Sequence, residues 1–422
     1  MSLPMNRLAS RLMKRLVCPY CYASFSQREI AFRCTGLTSR TGRSCTRVID
    51  EPLQLRIGVG AALPPAFQAN GRKRLAICPK CEEETSYHLC PVCHSLLPIH
   101  FAKVSSRLIA MIGAKQTGKT VYMTVLIHEL QNRIGERFGA AVVGSDDVTL
   151  KRFSEDYERT LYEKRELFSS NPSASAQAGV GLLAPLVFSF TASRERPWLS
   201  NGGSRRPRSA QTLLSFFDTA GEDLNSQESV ERNTRYLAAA DGIILLLDPL
   251  QMPGARPLAK PGTVLPETES GADSPVNVLT RVTRMLRDRL GLRPSGLIDK
   301  PFAVAFSKLD ALSWRFPPGS PLRQPEPGAP KFDTQDSRDV HDYVLALLRD
   351  WDGMQIHQVV HHNYRRYRYF GLSALGESPT DKRLVSDRGI RPYRVADPLL
   401  WLLSEFGTVP RSKPGNGHET KA

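Results

Sequence analysis

The chain lacks three features that would place it outside the cell or in a membrane. It has no cysteine after residue 93, so all eight cysteines lie in the first quarter of its 422 residues. Its best apolar run, residues 243–247, is far shorter than a membrane span. Residues 1–17 are basic and weakly amphipathic and lack the apolar core of a secretory signal. An organelle-targeting segment is the alternative there, but we predict a cytoplasmic protein without a transmembrane segment.

Acidic residues are the minority among the charged ones. The 57 Lys and Arg residues against 42 Asp and Glu residues give a formal net charge of +15. Residues 1–103 hold 15 basic and 6 acidic residues, so +9 of the excess lies there. Two zinc ions with four thiolates each would lower this local excess to about +5, because each site adds about −2. The positive net charge is only weak evidence that the chain binds nucleic acid, since a bound triphosphate is itself an acidic partner.

The eight cysteines form two groups of four along the sequence. The second group has the cleaner zinc-ribbon spacing, two Cys-x2-Cys knuckles: Cys78, Cys81, Cys90 and Cys93. The first has one knuckle and two more widely spaced cysteines: Cys18, Cys21, Cys34 and Cys45. Four thiolates leave no open position on a tetrahedral Zn²⁺, so we predict two structural zinc sites, one for each group. Disulfides and buried free thiols are the alternatives, which the clustering in an intracellular protein disfavours.

A phosphate-binding loop of the pattern GxxxxGK[ST] occupies eight consecutive residues: Gly113, Ala114, Lys115, Gln116, Thr117, Gly118, Lys119 and Thr120. Residues 108–112 are predicted to form a buried strand before it and residues 121–133 a helix after it, as the motif requires. Backbone N–H groups at the helix N-terminus would bind phosphates. Lys119 would reach the β- and γ-phosphates, and the Thr120 hydroxyl would ligate Mg²⁺. The loop predicts that the chain binds a nucleoside triphosphate.

Beyond residue 105, predicted strands and helices alternate, which is typical of an α/β fold with a parallel-type sheet and helices on both faces. The predicted strands are residues 108–112, 186–191, 212–217, 242–247, 302–306 and 367–372. The predicted helices are residues 120–133, 150–168, 229–239, 276–289, 338–350 and 397–405. Residues 252–275 and 316–330 are rich in Pro and Gly and are predicted to be mobile insertions. The predicted domains are zinc-ribbon modules at 1–60 and 61–104, a P-loop domain at 105–408 and a disordered tail at 409–422.

Further polar motifs follow the predicted strands. Asp218 ends one strand, where a carboxylate can hold Mg²⁺ through water, and Gly221 allows a backbone N–H to approach the γ-phosphate. The segment after Gly221 would then move when the γ-phosphate is lost. Asp310 follows another strand, where a carboxylate can accept two hydrogen bonds from a guanine edge while the Lys308 stem packs along the base. Two further residues complete the predicted base pocket, Ser373 and Ala374, through a backbone N–H that could bind the guanine carbonyl oxygen.

In this order the motifs GAKQTGKT, DTAG, SKLD and SAL resemble the guanine-nucleotide motifs of Ras-like P-loop GTPases of the translation-factor-related class. The resemblance covers roughly residues 105–406. It implies a G-domain fold, a GTP-hydrolysing switch that uses GTP and Mg²⁺, and Lys119 and Glu222 as catalytic residues. The zinc ribbons make the chain similar to bacterial double-GTPase proteins. That narrower resemblance implies a second GTPase or an activating protein as partner, in a multi-component conflict or signalling system.

Two positions depart from the pattern of this family. Ser307 stands where Asn or Thr usually begins the base-recognition motif, so guanine selectivity is expected to be weaker. Glu222 stands where a water-orienting Gln is common, and its carboxylate adds negative charge near the γ-phosphate. We expect slow intrinsic turnover that an arginine from a partner accelerates. Ser173 is the candidate for the threonine of the first switch segment.

Two alternatives remain open from the sequence alone. Residues 243–247 end in Asp248, which could be the Mg²⁺ carboxylate of an ATPase. The basic stretches at 71–74 and 204–208, together with His361 and His362, could instead belong to a zinc-ribbon nucleic-acid-binding protein with a degenerate P-loop domain. Basic and aromatic residues alternate at 366–369. This alternation favours interpreting the stretch with His361 and His362 as a half-buried strand with solvated basic side chains.

Overall fold

The computed structural model describes residues 15–57, 60, 62–98, 101–103, 105–114, 116–168, 185–193, 209–218, 235–266, 274–380 and 383–412. The chain divides into two compact units, an N-terminal unit that ends at Ser106 and a second unit that begins at Arg107. Among these residues, none of the helices has the length and apolar composition that a membrane crossing requires.

Very short strands build the N-terminal unit. Its largest sheet has four strands in the order Leu96–Leu97, Tyr87–Leu89, Ala31–Arg33 and Ala66–Gln68. The strand Ala31–Arg33 pairs antiparallel with both of its neighbours. Segments from before and after residue 60 are therefore interleaved in one sheet. This corrects the predicted division into consecutive modules at 1–60 and 61–104.

The described part of this unit also contains three two-stranded ladders, one short α-helix and two 3-10 helices, Gln27–Glu29 and Phe101–Lys103. Each ladder is antiparallel and joins strands of two residues: Leu16–Val17 with Ser24–Phe25, Val48–Ile49 with Ala62–Leu63, and Ala76–Ile77 with Glu84–Thr85. The helix spans Glu51–Ile57 and buries none of its residues. Elements this short cannot hold a fold by strand pairing alone, so other interactions must stabilise the unit.

A seven-stranded sheet forms the centre of the second unit. Its strands in chain order are β1 Ser105–Gly113, β2 Ala140–Gly144, β3 Leu186–Ser193, β4 Ser209–Asp218, β5 Gly242–Leu247, β6 Phe302–Phe306 and β7 Tyr367–Gly371. The spatial order is β2-β3-β4-β1-β5-β6-β7. Strands β1, β5, β6 and β7 run parallel, whereas β3 pairs antiparallel with both β2 and β4. The predicted α/β class with a parallel-type sheet is confirmed.

The central strands form because their residues are apolar on both faces. All residues of β5 and β6 are buried, as expected of parallel strands covered by helices on both sides. The six predicted strands are all present, and those at 242–247 and 302–306 have the predicted bounds. The edge strand β2 was not predicted, because its residues alternate between exposed and half-buried positions and present only Val142 to the core.

Helices cover the sheet. They are α1 Lys119–Gln131, α2 Arg133–Arg137, α3 Asp147–Arg152, α4 Pro275–Arg289, α5 Thr334–Asp350, α6 Met354–Asn363 and α7 Asp397–Glu405. Helix α3 continues into a π-helix, Phe153–Glu163, where a single α-helix was predicted. Helix α6 was not predicted, and the predicted helix 229–239 lies mostly outside the described residues. Side-chain caps begin α4 and α5, where Ser274 and Asp333 accept backbone N–H hydrogen bonds.

The stretches predicted as mobile insertions are packed where the structure describes them. In the first, Met252 and Ala255 are buried, and in the second, Phe316 and Leu322 are buried. An ion pair also holds the second stretch, since Glu326 Oε2 lies 2.8 Å from Arg133 Nη1. The predicted disordered tail is likewise wrong at its start, because Val409 is buried and residues 410 and 412 make backbone hydrogen bonds to Phe332.

Candidate functional site

Two clusters of four thiols lie in the N-terminal unit. One contains Cys18, Cys21, Cys90 and Cys93, and the other contains Cys34, Cys45, Cys78 and Cys81. The Sγ–Sγ distances across the clusters are 3.8, 3.7, 3.5 and 3.7 Å. A tetrahedron of thiolates around Zn²⁺, with Zn–S bonds of about 2.3 Å, has edges of about 3.8 Å. The spacing fits one structural zinc ion in each cluster and is far too long for disulfides.

The grouping of the cysteines differs from the predicted one. Each cluster takes two ligands from the first predicted group and two from the second, so the outer cysteines of the sequence meet and the inner ones meet. The antiparallel pairing of Ala31–Arg33 with Tyr87–Leu89 explains this, because it folds the two halves of the unit back on each other. His94, considered as an alternative ligand, instead lies with Nδ1 2.9 Å from a carboxylate oxygen of Asp50.

The three Cys-x2-Cys knuckles share one backbone geometry. In each, the N–H of the residue after the second cysteine donates to the carbonyl of the first, at 3.1 Å for Tyr22, 2.9 Å for Glu82 and 3.1 Å for His94. Those three residues have positive φ angles of 60°, 64° and 52°. The knuckle is therefore a local structure that the Cys-x2-Cys spacing predicts, whereas the choice of partner knuckle is a tertiary property.

The phosphate-binding loop connects β1 to α1. Gly113 ends the strand, and a Cβ there would lie 2.6 Å from the Leu246 carbonyl oxygen, so only glycine fits. Gln116 and Gly118 have φ angles of 62° and 83°, which turn the backbone into the helix. The predicted strand–loop–helix context is confirmed, and the N-terminus of α1 is directed at the loop as phosphate binding requires.

Lys119 is buried and spans the loop. Its Nζ donates hydrogen bonds of 2.9 Å to the Gly113 carbonyl and 3.0 Å to the Ala114 carbonyl. The Thr117 hydroxyl donates to the same Ala114 carbonyl at 2.9 Å. These bonds hold the ammonium within the curve of the loop, where its charge can act on a bound phosphate.

Ser307 and Lys308 attach the loop to the end of β6. The Ser307 hydroxyl is buried and donates to the Thr117 carbonyl at 2.9 Å. Lys308 Nζ donates to the Gln116 carbonyl at 2.7 Å and to Asp248 Oδ2 at 2.6 Å. The serine that replaces the usual Asn or Thr thus still reaches the loop, and the phosphate and base-recognition segments form one connected structure.

Asp248 has a different role from the one assumed in the ATPase alternative. Its side chain is fully buried, Oδ2 pairs with Lys308, and Oδ1 accepts a 2.9 Å hydrogen bond from the Leu250 N–H. Both oxygens are therefore used by the protein itself. This geometry favours a structural role for Asp248 over the Mg²⁺ role of the ATPase alternative.

Two serines orient the carboxylate of Asp310. The Ser373 hydroxyl donates to Oδ1 at 2.6 Å, and the Ser378 hydroxyl lies 3.3 Å from Oδ2. Ser373 also accepts the Gly376 N–H at 2.8 Å, which shapes the turn that carries Ala374. The sequence predicts Asp310 and Ser373 as residues of the base pocket, but it does not mark Ser378, because a serine in a loop carries no distinctive spacing.

These segments surround one cavity of about 250 Å³ in the second unit. Predicted residues that line it are Gln116, Thr117, Gly118, Ser307, Lys308, Asp310 and Ala374. Two walls were not predicted: Leu167 and Phe168 on one side, and residues 263–266 on the other. No motif marks these walls, because they are apolar loop residues whose role depends on where the loop is anchored.

Several predicted residues cannot be placed. Lys115, Gly221, Glu222 and the switch candidate Ser173 lie outside the described residues. Asp218 is the last residue of β4, so its backbone ends a strand as predicted. The catalytic role of Glu222 and the Mg²⁺ role of Asp218 remain predictions.

Comparison with solved structures finds GTP-binding proteins at low similarity. The Saccharomyces cerevisiae Ski7 GTPase-like domain, bound to GDP and inorganic phosphate, has a TM-score of 0.31 and 13% identity over 76% of this chain and 54% of its own. Era, in complex with MgGDPNP and nucleotides of 16S ribosomal RNA, has a TM-score of 0.27 and 12% identity over 75% of this chain and 61% of its own. Both matches span less than two thirds of the neighbour.

Comparison with curated sequences gives a closer relative. No protein-family model matches the chain. A Mycolicibacterium smegmatis protein described as "Putative ESX-1 scaffolding and assembly protein SaeC" is 30% identical over 318 residues, which cover 71% of this chain and 75% of the relative. At this identity and coverage, the chain belongs to the family of SaeC.

Proposed function

We propose that the protein is a Mg²⁺-dependent switch that binds and hydrolyses GTP and recruits protein partners through its zinc-binding unit. The observation that carries this proposal is the convergence of three segments on one cavity. Residues 116–118 of the phosphate-binding loop, the segment around Asp310 and the turn with Ala374 all line it. A cavity with a phosphate end and a carboxylate end matches the two chemically distinct ends of a guanine nucleotide.

Each part of the cavity has a chemical role in this proposal. Loop N–H groups and Lys119 bind the β- and γ-phosphates, while Asp310 accepts hydrogen bonds from the guanine edge. Thr120 at the start of α1 and Asp218 at the end of β4 would hold Mg²⁺, which neutralises charge on the transferred phosphoryl group. Hydroxyl donors hold a carboxylate in one orientation, so Ser373 and Ser378 prepare Asp310 to accept hydrogen bonds from the base.

Hydrolysis is expected to be slow without a partner. Glu222 would orient or deprotonate the attacking water, but its charge opposes that of the γ-phosphate. An arginine from a partner would stabilise the transition state, an effect worth roughly 10³–10⁵ in rate in related chemistry. The partner would therefore set the lifetime of the GTP-bound state.

The zinc-binding unit is the proposed recruitment surface. Its described residues include several exposed apolar side chains, among them Leu55, Ile77 and Val92. The description of the relative as a scaffolding and assembly protein favours a protein partner in a multi-component assembly over a conflict module or nucleic acid. Thiolates held for metal rather than as disulfides fit a reducing compartment, so we place this activity in the cytoplasm.

A titration of the purified full chain with GTP and ATP, each with Mg²⁺, tests the proposal. Tight GTP binding that weakens with Asp310→Ala, together with slow phosphate release, is the expected result. Ser313→Ala is the matched control, because its hydroxyl donates to the Asp310 backbone carbonyl and not to the carboxylate. Equal affinity for the two nucleotides would contradict guanine recognition. Tight nucleic-acid binding without any nucleotide binding would instead support the degenerate-domain alternative.

A further inference from the structure

The turn that carries Ser373 is held by a segment that no sequence motif marks. The Ser373 N–H donates to the Tyr393 carbonyl at 3.0 Å, and the Tyr393 N–H donates back to the Ser373 carbonyl at 2.8 Å. The Arg391 N–H also donates to the Leu375 carbonyl at 2.9 Å. Residues 391–394, which we call the clamp, therefore pair with this turn along its backbone.

The clamp and the turn are in close contact. Gly376 of the turn has a φ angle of 84°, and a Cβ there would lie 2.2 Å from the Arg391 carbonyl oxygen, so only glycine fits. The Ser373 hydroxyl in turn donates to Asp310 Oδ1 at 2.6 Å. A displacement of the clamp would therefore reach the Asp310 carboxylate through Ser373.

Arg394 fixes the position of the clamp. Its side chain is fully buried, and its guanidinium makes a bidentate ion pair with Asp336 of α5, with N–O distances of 2.7 and 2.8 Å. Arg394 Nη1 also lies 2.8 Å from Asp397 Oδ2 of α7, and the Arg394 backbone N–H donates to Glu326 Oε1 at 2.6 Å. The residue thus ties the clamp to two helices and to the stretch at 316–330.

Stability alone does not account well for a charged group in this position. Apolar side chains of similar volume often stabilise a fold as well as a buried ion pair does. A bidentate guanidinium–carboxylate pair adds direction, because it holds both groups in one orientation. Direction is what the base pocket requires, since the Asp310 carboxylate has to meet two N–H groups of guanine.

We propose that Arg394 is a positioning residue for base recognition. Through the clamp and Ser373, it holds the Asp310 carboxylate in the orientation that accepts two hydrogen bonds from guanine. This inference rests on the proposed function.

The test measures the affinity of the full chain, with Mg²⁺, for non-hydrolysable analogues of GTP and of inosine triphosphate, whose base lacks the exocyclic amino group of guanine. The unaltered protein should bind the GTP analogue about 10-fold more tightly, since inosine loses one hydrogen bond to a carboxylate. Arg394→Lys keeps the cation but loses the bidentate pair, so the ratio of the two affinities should fall to about 2. A purely structural role would weaken both nucleotides equally and leave the ratio unchanged.

Gly376→Ala is the second variant, because it displaces the clamp from the turn without removing any charged group. It should lower the ratio in the same way, and it decides the question if Arg394→Lys does not fold. The matched control is Arg287→Lys. Arg287 Nη1 also holds a turn, by a 2.7 Å hydrogen bond to the Gly296 carbonyl, but both residues lie outside the lining of the cavity. This control should leave the ratio unchanged.

Circular dichroism establishes which variants are folded. An unchanged ratio in folded Arg394→Lys or in Gly376→Ala would overturn the inference, as would equal binding of the two analogues by the unaltered protein. If GTP binds and its affinity depends on Asp310 while both variants keep the ratio, this inference alone fails. If no guanine nucleotide binds, the proposed function fails with it.

Discussion

The two units of the chain are stabilised in opposite ways. The second unit has strands of five to ten residues whose apolar side chains form a continuous core. The N-terminal unit has strands of two or three residues and two thiol clusters that fit zinc. Where a core supplies the free energy of folding, chain order and local pattern predict the structure well. Where metal supplies it, local pattern predicts the ligands but not their partners.

The units also differ in how far apart in sequence their predicted functional residues lie. The phosphate-binding loop is contiguous in sequence, so its chemistry and its geometry are predicted together. Each thiol cluster draws on cysteines separated by more than forty residues, for example Cys34 and Cys81. Four interactions can sharpen or break this comparison, and we order them by expected effect.

The largest effect is expected from paired cysteine substitutions. Cys18→Ser with Cys93→Ser removes two ligands of one cluster and should leave about one zinc per chain. Cys18→Ser with Cys34→Ser damages both clusters and should leave almost none, with unfolding of the N-terminal unit, since structural zinc contributes on the order of 10 kcal/mol. Zinc content by mass spectrometry distinguishes them. The reverse result would restore the grouping predicted from sequence order.

The next effect concerns the loop alone. Lys119→Ala should weaken GTP binding by about 100-fold or more, because the buried charge that we propose to bind phosphate is lost. Zinc content should not change, since the lysine belongs to the other unit. Lys331→Ala, at an exposed position, is the control. Unchanged affinity in Lys119→Ala, measured by titration calorimetry, would remove the basis for nucleotide binding.

A smaller effect is expected at the junction of β5 and β6. Lys308→Met leaves the fully buried Asp248 carboxylate without its cation, and should destabilise the second unit by about 2 kcal/mol, less than a fully buried pair because Lys308 is about a third exposed. Adding Asp248→Asn should recover part of the loss. Denaturant unfolding of the single and double variants measures the coupling free energy between Lys308 and Asp248. Strictly additive changes in the free energy of unfolding would argue against a stabilising pair.

The effect that is smallest at neutral pH is a dependence on pH at the edge strand β7. His341 Nδ1 accepts the Tyr369 N–H at 3.0 Å, and burial lowers the pKa of His341 to about 4. Because an unfolded histidine titrates near 6.5, the stabilisation is present above that pH and is lost as the pH falls toward 4. His341→Asn should flatten this dependence. Melting temperatures of both proteins from pH 7 to pH 4.5 provide the measurement, and parallel curves would contradict the assignment.

Much of the second unit follows from its sequence. Strongly apolar runs predict β5 and β6 with their bounds. Every residue of a strand buried on both faces is apolar, so the first and last apolar residues mark its ends. Strand β2 and helix α6 were missed, since both present few apolar residues. The single helix predicted at 150–168 is instead α3 followed by a π-helix. Tyr162 of this π-helix stacks on His128 of α1, with ring centroids 4.1 Å apart. Composition alone predicts that the Pro- and Gly-rich stretches are mobile. In the structure, a hydrogen bond of Lys260 and an ion pair of Arg133 hold these stretches in the packed domain.

The sequence by itself determined the local chemistry: the missing cysteines after residue 93, the three knuckles, the phosphate-binding loop and the carboxylate of Asp310. Each is encoded within a few neighbouring residues, so short-range geometry is sufficient. Tertiary structure decided which knuckles share a thiol cluster, that Asp248 pairs with Lys308, and that residues 263–266 line the cavity beside Asp310. These choices depend on contacts between segments far apart in the chain, so only the free energy of the whole folded protein selects among them.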